Sequence, residues 1–444
     1  MEQSMSIFKA YDIRGIYGEE LTEDLAYKIG RAFVTFLKCK KVVVGRDMRP
    51  HSPSLQEALV RGITEQGADV IDLGLASTPM SYFANARLEA DASIIITASH
   101  NPGEYNGLKL CREKAIPISG VTGIKEIEQH AVNESFDPPA QSPGTVTTYD
   151  ILPEYKAHIR SFADIGRPLK IAIDYANAMG IVEGEVLDGL IESDPMFDVL
   201  DGSFPNHEAN PLDLETFADL QKKVREGSYD FGIAFDGDAD RVGFVDETGE
   251  IVSMDLITAL IAQALLKQEK GTVLYDLRSS WAVKEAIEES GGTAVMCRVG
   301  HAFIKNQMRD HDAIFAGELS GHYYFRENST AESSALAVIF IANLVGSSDK
   351  KMSEWVAPLR RYHASGEINS RITQDAANLM TRLRETFPAG RVSELDGQSI
   401  DFDDWWFNVR MSNTEPLCRL NLEAKSKDVM EERRDQILAI IRGA

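Results

Sequence analysis

The chain has few cysteines, and none of them forms a CxxC pair. Its 444 residues include four cysteines that lie far apart, so the sequence spells neither a zinc site nor a redox motif of that type. They are Cys39, Cys111, Cys297 and Cys418. We therefore expect reduced, structural thiols.

Long apolar runs and a signal-like N-terminus are also missing. The longest apolar stretch, residues 335–345, is too short to span a bilayer and is typical of a buried helix. The N-terminal residues MEQSMSIFKAYD lack the basic start and apolar run of a signal peptide. We expect a cytoplasmic protein without a membrane partner.

Positive charge is scarce. There are 46 basic against 69 acidic residues and a formal net charge of -23, which argues against nucleic acid or an anionic membrane as the main partner. Any anionic ligand must be held by local cations. The proportions of hydrophobic residues, 43%, and charged residues, 26%, are typical of a globular protein. The length predicts several domains.

The first three-quarters of the sequence repeats one pattern three times. Short apolar runs alternate with amphipathic helical stretches, as is typical of α/β domains. The predicted strands are 42–45, 69–73 and 93–97 in the first unit, 171–174, 198–200 and 231–235 in the second, and 273–276, 293–296 and 313–316 in the third. Each unit thus has a first, a second and a third strand. The shared order predicts repeated domains, although an α/β chain also yields such triples by chance.

The C-terminal quarter has a different pattern of predicted strands and helices. Two predicted strands, 407–411 and 419–423, flank the loop SNTEP, and a charged helix is predicted over 427–442. This pattern indicates a smaller α+β domain.

A chemically distinctive loop follows the third strand of each unit. The loops read ASHNP, DGDADR and GELSGH. Open α/β sheets bind ligands at the carboxyl ends of their strands, where loop backbone and helix N-termini are exposed. The three loops therefore occupy equivalent positions in their units.

The loop DGDADR contains Asp236, Asp238 and Asp240 directly after an apolar strand. Three carboxylates at alternate positions can wrap one hard cation, Mg²⁺ or Ca²⁺. An EF-hand is excluded because Arg241 stands where its turn requires glycine, and because a strand precedes the loop. The remaining alternative is a solvated acidic turn, although carboxylates this close repel one another without a cation.

The loop TASHNP contains Ser99 beside His100. A serine becomes a nucleophile or a phosphoryl carrier when a base or a metal is close to it. No GxSxG elbow surrounds Ser99, which disfavours an acyl-transferring hydrolase. The alternative is a polar loop with an Asn-Pro turn.

The loop GELSGH places Glu318, Ser320 and His322 two residues apart. Carboxylates accept hydrogen bonds from sugar hydroxyls, and an imidazole moves protons near neutral pH. The alternative is a capped turn that leads into the next strand.

The fourth loop begins after Arg410. A guanidinium, hydroxyls and an amide around exposed backbone N–H groups form a cradle suited to phosphate. The loop residues in question are Ser412, Asn413 and Thr414. Two N-terminal clusters add cations near apolar segments, at Arg14, Arg46 and Arg49.

These motifs together resemble the α-D-phosphohexomutases, most closely the bacterial phosphomannomutase/phosphoglucomutase branch. TASHNP, DGDADR, GELSGH and SNTEP occur in that family's order and at similar separations, so the resemblance covers essentially the whole chain. It implies three similar α/β domains with mixed sheets plus a smaller C-terminal α+β domain around a central cleft. The implied domain limits are 1–150, 151–253, 254–362 and 363–444.

The resemblance also implies an activity in carbohydrate metabolism. Hexose 1-phosphate and hexose 6-phosphate, of mannose or glucose, would interconvert through a phosphoserine and a hexose 1,6-bisphosphate. Ser99 would carry the phosphoryl group, and one of its oxygens would join the three aspartates around Mg²⁺. The partner would be a small phosphosugar, and the chain a monomer or dimer.

Further roles follow from the same resemblance. Glu318 and Ser320 would contact the sugar hydroxyls, with His322 or Lys109 as proton carrier. The other phosphate would be held by Arg410, Ser412, Asn413 and Thr414. The reacting oxygen would be surrounded by His322, His100, Lys109, Arg14 and Arg241. The same cleft would be lined by Tyr11, Arg278 and His301.

Two positions depart from the family pattern. Leu319 stands where methionine is expected, a change that conserves volume. Arg278 stands where lysine is common, which keeps the charge and alters the geometry. The competing hypotheses are a phosphoglucosamine mutase within the family, and a metal-dependent sugar phosphatase or a non-catalytic sugar-phosphate sensor outside it.

Overall fold

The computed structural model describes residues 7–372, 375–411 and 417–443. Within them the chain forms four sheets, each built from one continuous segment. We call the segments that carry these sheets domains I to IV, in chain order. No helix in the described stretches combines the length and the apolar character needed to cross a membrane.

Domain I contains a six-stranded mixed sheet. Its strands are β1 Ile13–Ile16, β2 Lys41–Arg46, β3 Asp69–Leu75, β4 Ala92–Ile96, β5 Tyr105–Arg112 and β6 Val146–Thr148. Its helices are α1 Glu23–Leu37, α2 Ser52–Glu65, α3 Thr78–Arg87 and α4 Ile124–Val132. Helix α1 starts where the side chain of Thr22 caps the backbone N–H of Leu25 and acidic residues fill the first turn, which favours the helix dipole.

Domains II and III each contain a five-stranded mixed sheet. Domain II has α5 Leu152–Arg160, β7 Lys170–Asp174, α6 Gly180–Gly184, β8 Glu192–Met196, α7 Ala218–Glu226, β9 Phe231–Phe235, β10 Val242–Asp246 and β11 Ile251–Val252. Domain III has α8 Met254–Gln268, β12 Thr272–Asp276, α9 Trp281–Glu289, β13 Thr293–Cys297, α10 His301–Asp310, β14 Phe315–Gly317, β15 Tyr323–Phe325, β16 Ala331–Glu332, α11 Ser334–Gly346 and α12 Met352–Val356.

Domain IV is an antiparallel sheet covered by two helices. Its elements are β17 His363–Ala364, β18 Ile368–Arg371, α13 Ala376–Thr386, β19 Arg391–Ser393, β20 Gln398–Asp401, β21 Trp405–Met411, β22 Leu417–Ala424 and α14 Lys427–Arg442. Short 3₁₀ turns occur along the chain at Glu113–Ala115, Glu185–Leu187, Leu214–Phe217, Arg326–Asn328 and Ala357–Leu359.

The first three sheets share one strand order. It reads β3-β2-β4-β5 in domain I, β8-β7-β9-β10 in domain II and β13-β12-β14-β15 in domain III. In each case the first two pairings are parallel and the third is antiparallel. The repeat predicted from the sequence is therefore confirmed. The three distinctive loops follow β4, β9 and β14, which are equivalent strands.

One predicted strand was wrong. Residues 198–200 lie outside any strand, Val199 is 69% exposed, and the second strand of domain II is β8 instead. The β8 sequence ESDPM is polar and contains Pro195, features that do not predict a strand. Among the described residues, strand β8 pairs with β7 alone, so it lies at the sheet edge. Proline is tolerated there because a backbone N–H on the outer side of the strand has no partner strand.

The buried apolar residues form separate clusters, and the domains share them unequally. One continuous cluster includes residues of domains I, II and III, and the buried helix α11 is part of it. The core of domain IV is a separate cluster. A cavity of about 270 Å³ lies between domains III and IV, lined by residues of both that include Trp281 and Trp406.

Glu183 is a buried carboxyl at the contact between domains I and II. It accepts hydrogen bonds from the Ser77 hydroxyl and, at 2.9 Å, from the Tyr155 hydroxyl. Burial raises its pKa from 4.5 to about 7. Between pH 4.5 and about 7, the folded state therefore binds more protons than the unfolded state. The stabilisation of the fold by protonated Glu183 is complete below pH 4.5 and is lost as the pH rises through about 7.

We expect Glu183→Gln to remove this pH dependence. Relative to wild type, the free energy of unfolding of the variant should rise by up to about 3 kcal/mol between about pH 5 and about pH 8. Urea unfolding of both proteins at the two pH values measures the change. Glu57→Gln, at an exposed position of α2, is the control. An equal change in both variants would contradict the prediction.

Candidate active site

Ser99 lies in the loop after β4 with its backbone in the left-handed region, at a φ of 52°. Its N–H donates to Thr97 Oγ1 at 2.9 Å. Its hydroxyl donates to Asp236 Oδ2 at 2.9 Å and lies 3.2 Å from His100 Nδ1. A non-glycine residue in this conformation is uncommon and is often found at functional turns. The loop thus presents the serine hydroxyl to domain II.

Arg49 holds this loop in place. Its guanidinium donates to the carbonyl oxygens of Ser99 at 3.0 Å and Asn101 at 2.6 Å. It also donates to the carbonyls of Pro102 at 2.7 Å and Tyr105 at 2.9 Å. In the sequence, Arg49 is recognisable only as a nearby cation. The sequence signal for its role is its position shortly after β2, the neighbour of β4 in the sheet.

The three aspartates of the loop after β9 form a group that can hold a metal ion. Ligand oxygens of Asp236, Asp238 and Asp240 all lie within 4.8 Å of one another, and all three side chains are buried. Among the described residues, Asp238 Oδ1 has no hydrogen-bond partner, and Asp240 Oδ1 lies 3.3 Å from His322 Nε2. A buried acceptor without a partner is costly, and a hard cation with oxygen ligands removes that cost. The donor set therefore fits such an ion.

The other oxygens of two aspartates are held by the protein. Lys109 Nζ lies 2.5 Å from Asp238 Oδ2 and 2.5 Å from Asp240 Oδ2. The Thr78 hydroxyl donates to Asp238 Oδ2 at 2.6 Å. Asp238 Oδ1 is left without a partner among the described residues and is available to a cation. Thr78 was not found from the sequence. Thr78 begins α3 just after β3 and therefore lies at the carboxyl edge of the sheet. That position is the sequence feature that could have indicated its contact with Asp238.

Imidazole and carboxylate groups meet at His322. Its Nδ1 lies 3.0 Å from Glu318 Oε2 and 2.9 Å from Ser320 Oγ. Its Nε2 lies 3.3 Å from Asp240 Oδ1 and 3.2 Å from Arg241 Nε. The loops of domains II and III are therefore in direct contact through this ring.

The protonation of these groups follows from burial and charge. Burial would lower the pKa of His322, but Asp240 and Glu318 raise it to about 9. Burial raises the pKa of Asp236, and its two neighbouring carboxylates raise it further. Burial would also raise the pKa of Asp240, but Lys109 and His322 hold it well below its usual range. The imidazole of His322 is consequently charged at neutral pH.

A second histidine behaves in the opposite way. The pKa of His100 is well below its usual range, because burial and the positive charges of Arg241 and Arg14 disfavour the protonated ring. The ring of His100 is therefore neutral beside the Ser99 hydroxyl.

The site extends from Glu318 towards domain IV. Glu318 accepts from the Tyr324 hydroxyl at 2.6 Å and from the Gly300 N–H at 3.1 Å. Arg278 Nη2 lies 2.6 Å from Asp276 Oδ2. The same Asp276 oxygen accepts from the N–H of Leu319 at 2.8 Å, so Arg278 is tied to the GELSGH loop. Asp276, the last residue of β12, was not found from the sequence.

Residues of domains I and III meet beside these loops. The Tyr11 ring lies edge-on to the His301 ring, with 5.9 Å between centroids. Arg14 donates to Asn101 Oδ1 at 2.6 Å and to Asp12 Oδ2 at 2.8 Å. Arg14 therefore contacts the loop that carries Ser99.

Arg410 joins Arg278 through a shared carboxylate. Arg410 Nη2 donates to Glu367 Oε2 at 2.9 Å, and Arg278 Nη1 lies 3.5 Å from the same oxygen. Glu367 was also missed by the sequence analysis. Three predicted residues lie outside the described part of the chain, namely Ser412, Asn413 and Thr414.

Four family models cover nearly the whole chain. The models of the phosphoglucomutase/phosphomannomutase alpha/beta/alpha domains I, II and III match residues 5–138, 153–249 and 253–362. The model of the phosphoglucomutase/phosphomannomutase C-terminal domain matches residues 367–440. The chain belongs to this family. Both the resemblance inferred from the motifs and the predicted fold are thereby confirmed.

Similar proteins agree with this assignment. A phosphomannomutase of Escherichia coli is 40% identical over 455 residues, which cover 99% of this chain and 99% of that protein. A phosphomannomutase of Methanocaldococcus jannaschii is 41% identical over 442 residues, 98% of each chain. The crystal structure of a phosphoglucomutase/phosphomannomutase family protein from Burkholderia thailandensis has a TM-score of 0.91 and 31% identity, covering 98% of this chain and 97% of that one. The chain is a phosphohexomutase, an isomerase that transfers a phosphoryl group intramolecularly.

In this phosphohexomutase, Gly237 sets the approach of the metal loop to Ser99. A Cβ atom at Gly237 would lie 2.1 Å from the Ser99 carbonyl oxygen, which is backbone and cannot turn away. We expect Gly237→Ala to push the two loops apart and to lower kcat by about 10²-fold, because displacements near 1 Å have such effects. A steady-state mutase assay measures the loss.

Gly120→Ala is the matched control for this change. A Cβ atom there would lie 3.5 Å from Ala10 atoms, an ordinary contact. Its kcat should stay within about two-fold of wild type, since surface changes without a clash have small effects. Full activity of Gly237→Ala would show that the close approach of the loops is not required.

Proposed function

We propose that the protein interconverts the 1-phosphates and 6-phosphates of mannose and glucose, with Ser99 as the phosphoryl carrier. The observation that carries this proposal is the 2.9 Å contact between Ser99 Oγ and Asp236 Oδ2, at the edge of a buried three-aspartate group. A hydroxyl so placed can bear a phosphoryl group whose charge a cation offsets.

The metal in this proposal is Mg²⁺. Asp236, Asp238 and Asp240 would hold it together with an oxygen of phosphorylated Ser99. When bound, Mg²⁺ withdraws electron density from the phosphoryl group and offsets its negative charge. Within the described residues, the unpartnered Oδ1 atom of Asp238 supports this assignment.

Side chains around Ser99 supply further positive charge. Arg241 Nε lies 3.9 Å from Asp236 Oδ2, Arg14 donates to the Asn101 side chain in the loop that carries Ser99, and the neutral ring of His100 lies against the Ser99 hydroxyl. Lys109 is committed to two aspartates, so we assign it to holding their geometry. Fixed positive charge around a transferring phosphoryl group stabilises the transition state.

We assign proton transfer at the sugar oxygen to His322. Its ring bridges the aspartate group and the GELSGH loop, whereas the Lys109 ammonium is occupied. When phosphoryl passes from the sugar to Ser99, the Ser99 hydroxyl gives its proton to the neutral ring of His100, and His322 gives a proton to the departing sugar oxygen. In the opposite half-reaction, His100 returns a proton to the departing Ser99 oxygen, and the neutral ring of His322 takes the proton of the attacking sugar hydroxyl.

The rest of the substrate site follows from position. Glu318 and Ser320 would contact the sugar hydroxyls, and the cleft would be lined by Tyr11, His301 and Arg278. The non-reacting phosphate would be held by Arg410, Ser412, Asn413 and Thr414. A hexose 1,6-bisphosphate formed in the first half would turn and return its other phosphate to Ser99, so one phosphate site serves both orientations.

The remaining parts of the proposal concern the whole chain. We place the protein in the cytoplasm, supported by four buried free cysteines. We infer a monomer or dimer with small phosphosugars as partners. The domain limits we propose are 1–150, 151–253, 254–362 and 363–444, because each sheet lies inside one of these ranges.

Intact-mass analysis and coupled assays test the proposal. Freshly purified protein should contain a fraction heavier by one phosphoryl group. Mannose 1-phosphate and glucose 1-phosphate should turn over faster than glucosamine 1-phosphate. Release of inorganic phosphate in place of isomerisation would indicate a phosphatase, and binding without turnover would indicate a sensor. Faster turnover of the amino sugar would overturn the choice of hexose.

A further inference from the structure

Glu367 lies where domain III joins domain IV, between β17 and β18. Its Oε2 accepts from Arg410 Nη2 at 2.9 Å and from Asn421 Nδ2 at 3.3 Å, and lies 3.5 Å from Arg278 Nη1. Its Oε1 lies 3.4 Å from Arg419 Nη1. One carboxylate therefore contacts three guanidinium groups, from both domains.

Glu367 is a carboxylate surrounded by guanidinium groups. Arg278, Arg410 and Arg419 contact it, and Asp276 contacts Arg278. Arg278 and Arg410 are each less than a tenth exposed. The three arginines hold the pKa of Glu367 at about 2, so its carboxylate stays charged. Arg278 and Arg410 are therefore paired with a carboxylate that stays charged.

Arg410 has a specific relation to this carboxylate. Its Nη2 is bound to Glu367, while its Nε has no hydrogen-bond partner within the described stretches. A phosphate that binds Arg410 through two parallel hydrogen bonds needs both nitrogens of one edge of the guanidinium. Such a phosphate and Glu367 would therefore compete for the same side chain.

We propose that Glu367 is an internal counterion of the substrate phosphate site, which holds Arg410 and Arg278 between substrates and competes with the phosphate for them. This inference rests on the proposed function and identifies a residue that tunes it. A phosphate oxygen and a carboxylate oxygen present the same charged acceptor to a guanidinium, so exchange between them leaves no arginine unpaired.

The reaction gives this competition a purpose. A bisphosphate that must turn has to leave the phosphate site once in each cycle. Leaving bare arginines behind would cost much free energy, because buried unpaired charges are expensive. Glu367 replaces the departing phosphate and lowers that cost. The same carboxylate weakens phosphate binding, so the enzyme gives up affinity in exchange for faster release.

A simpler hypothesis is that Glu367 only ties domain IV to domain III. The two hypotheses predict opposite effects of removing the charge. A structural tie that is lost would leave Arg410 poorly placed and weaken phosphate binding. A competitor that is lost would strengthen it.

The test is the dissociation constant of inorganic phosphate, measured by calorimetry on the full chain. We expect Glu367→Gln to lower Kd by about ten-fold, a change typical of one charged hydrogen bond. The KM for the hexose phosphate should fall and kcat should fall with it, because release slows. Glu385→Gln removes the same charge from an exposed position of α13 and should leave Kd unchanged.

A double-mutant cycle assigns the effect to Arg410. In the background of Arg410→Gln, the change from Glu367→Gln should shrink below about two-fold. Glu367→Asp keeps the charge on a shorter side chain and should lower Kd by about two- to three-fold, which keeps the test available if the glutamine variant does not fold.

Unchanged or weaker phosphate binding in the Glu367 variants would overturn the inference, as would an equal effect of Glu385→Gln. Phosphate binding needs no turnover, so it is independent of the mutase assay. Tighter binding in a protein without mutase activity would remove the proposed function alone. Mutase activity with unaltered phosphate binding would remove this inference alone.

Discussion

Ser99→Ala should lower kcat for isomerisation by at least about 10⁴-fold, the scale seen when a covalent nucleophile is removed. The Ser99 hydroxyl is the group that the left-handed turn presents to Asp236, and the Arg49 guanidinium fixes the turn by its carbonyls. The mass of one phosphoryl group should also disappear from the purified protein. A coupled assay and intact-mass analysis measure the two effects.

Two measurements separate lost chemistry from lost structure in this variant. The melting temperature of Ser99→Ala should stay close to that of wild type, since its carbonyl contacts with Arg49 involve only the backbone. Ser99→Thr keeps a hydroxyl, but a β-branched residue at a φ of 52° is strained, so we expect a smaller loss of about 10²-fold. Isomerisation that survives in Ser99→Ala would mean that Ser99 carries no phosphoryl group.

Lys109→Met should damage both stability and activity. Its ammonium lies 2.5 Å from oxygens of Asp238 and Asp240, and all three side chains are buried. Removing one partner of a buried ion pair leaves an uncompensated charge and costs about 3–5 kcal/mol of unfolding free energy. The loss of a fixed positive charge should also lower kcat by about 10³-fold. Urea unfolding and a steady-state assay measure these losses.

Added Mg²⁺ gives a sharper test of the same variant. The cation would neutralise the carboxylates that Lys109 no longer contacts, so it should raise the melting temperature of Lys109→Met more than that of wild type. Lys125→Met, at an exposed position of α4, should behave like wild type in both assays. A Lys109→Met protein of normal stability would contradict the ion-pair geometry.

The convergence of the main loops could be predicted because it depends on local order. Each loop follows the third strand of its unit, and that strand has the same parallel and antiparallel neighbours in all three sheets. The contacts that complete the site depend on packing between domains. Thr78 lies 160 residues from Asp238 in the sequence, and no periodicity relates the two positions. The role of Glu367 likewise depends on its contacts with arginines of two domains, which the sequence does not show.

The error over residues 198–200 has a comparable cause. A sequence pattern rewards apolar, β-branched runs, and DVL satisfies that pattern better than ESDPM does. ESDPM can form a strand because β8 lies at the edge of its sheet. Whether a strand lies at an edge depends on how the whole sheet assembles, which the local sequence does not show.

The separate core of domain IV has a consequence for how the enzyme opens. The seam between domains III and IV is joined by polar contacts, such as the Trp281 N–H on Glu423 at 2.9 Å and the Val299 N–H on Asp396 at 3.3 Å. Water can replace such contacts one at a time at little cost, whereas parting the first three domains would wet the shared core. Any swing that admits or frees a sugar phosphate is therefore cheapest along this seam, with the other three domains moving as a single block.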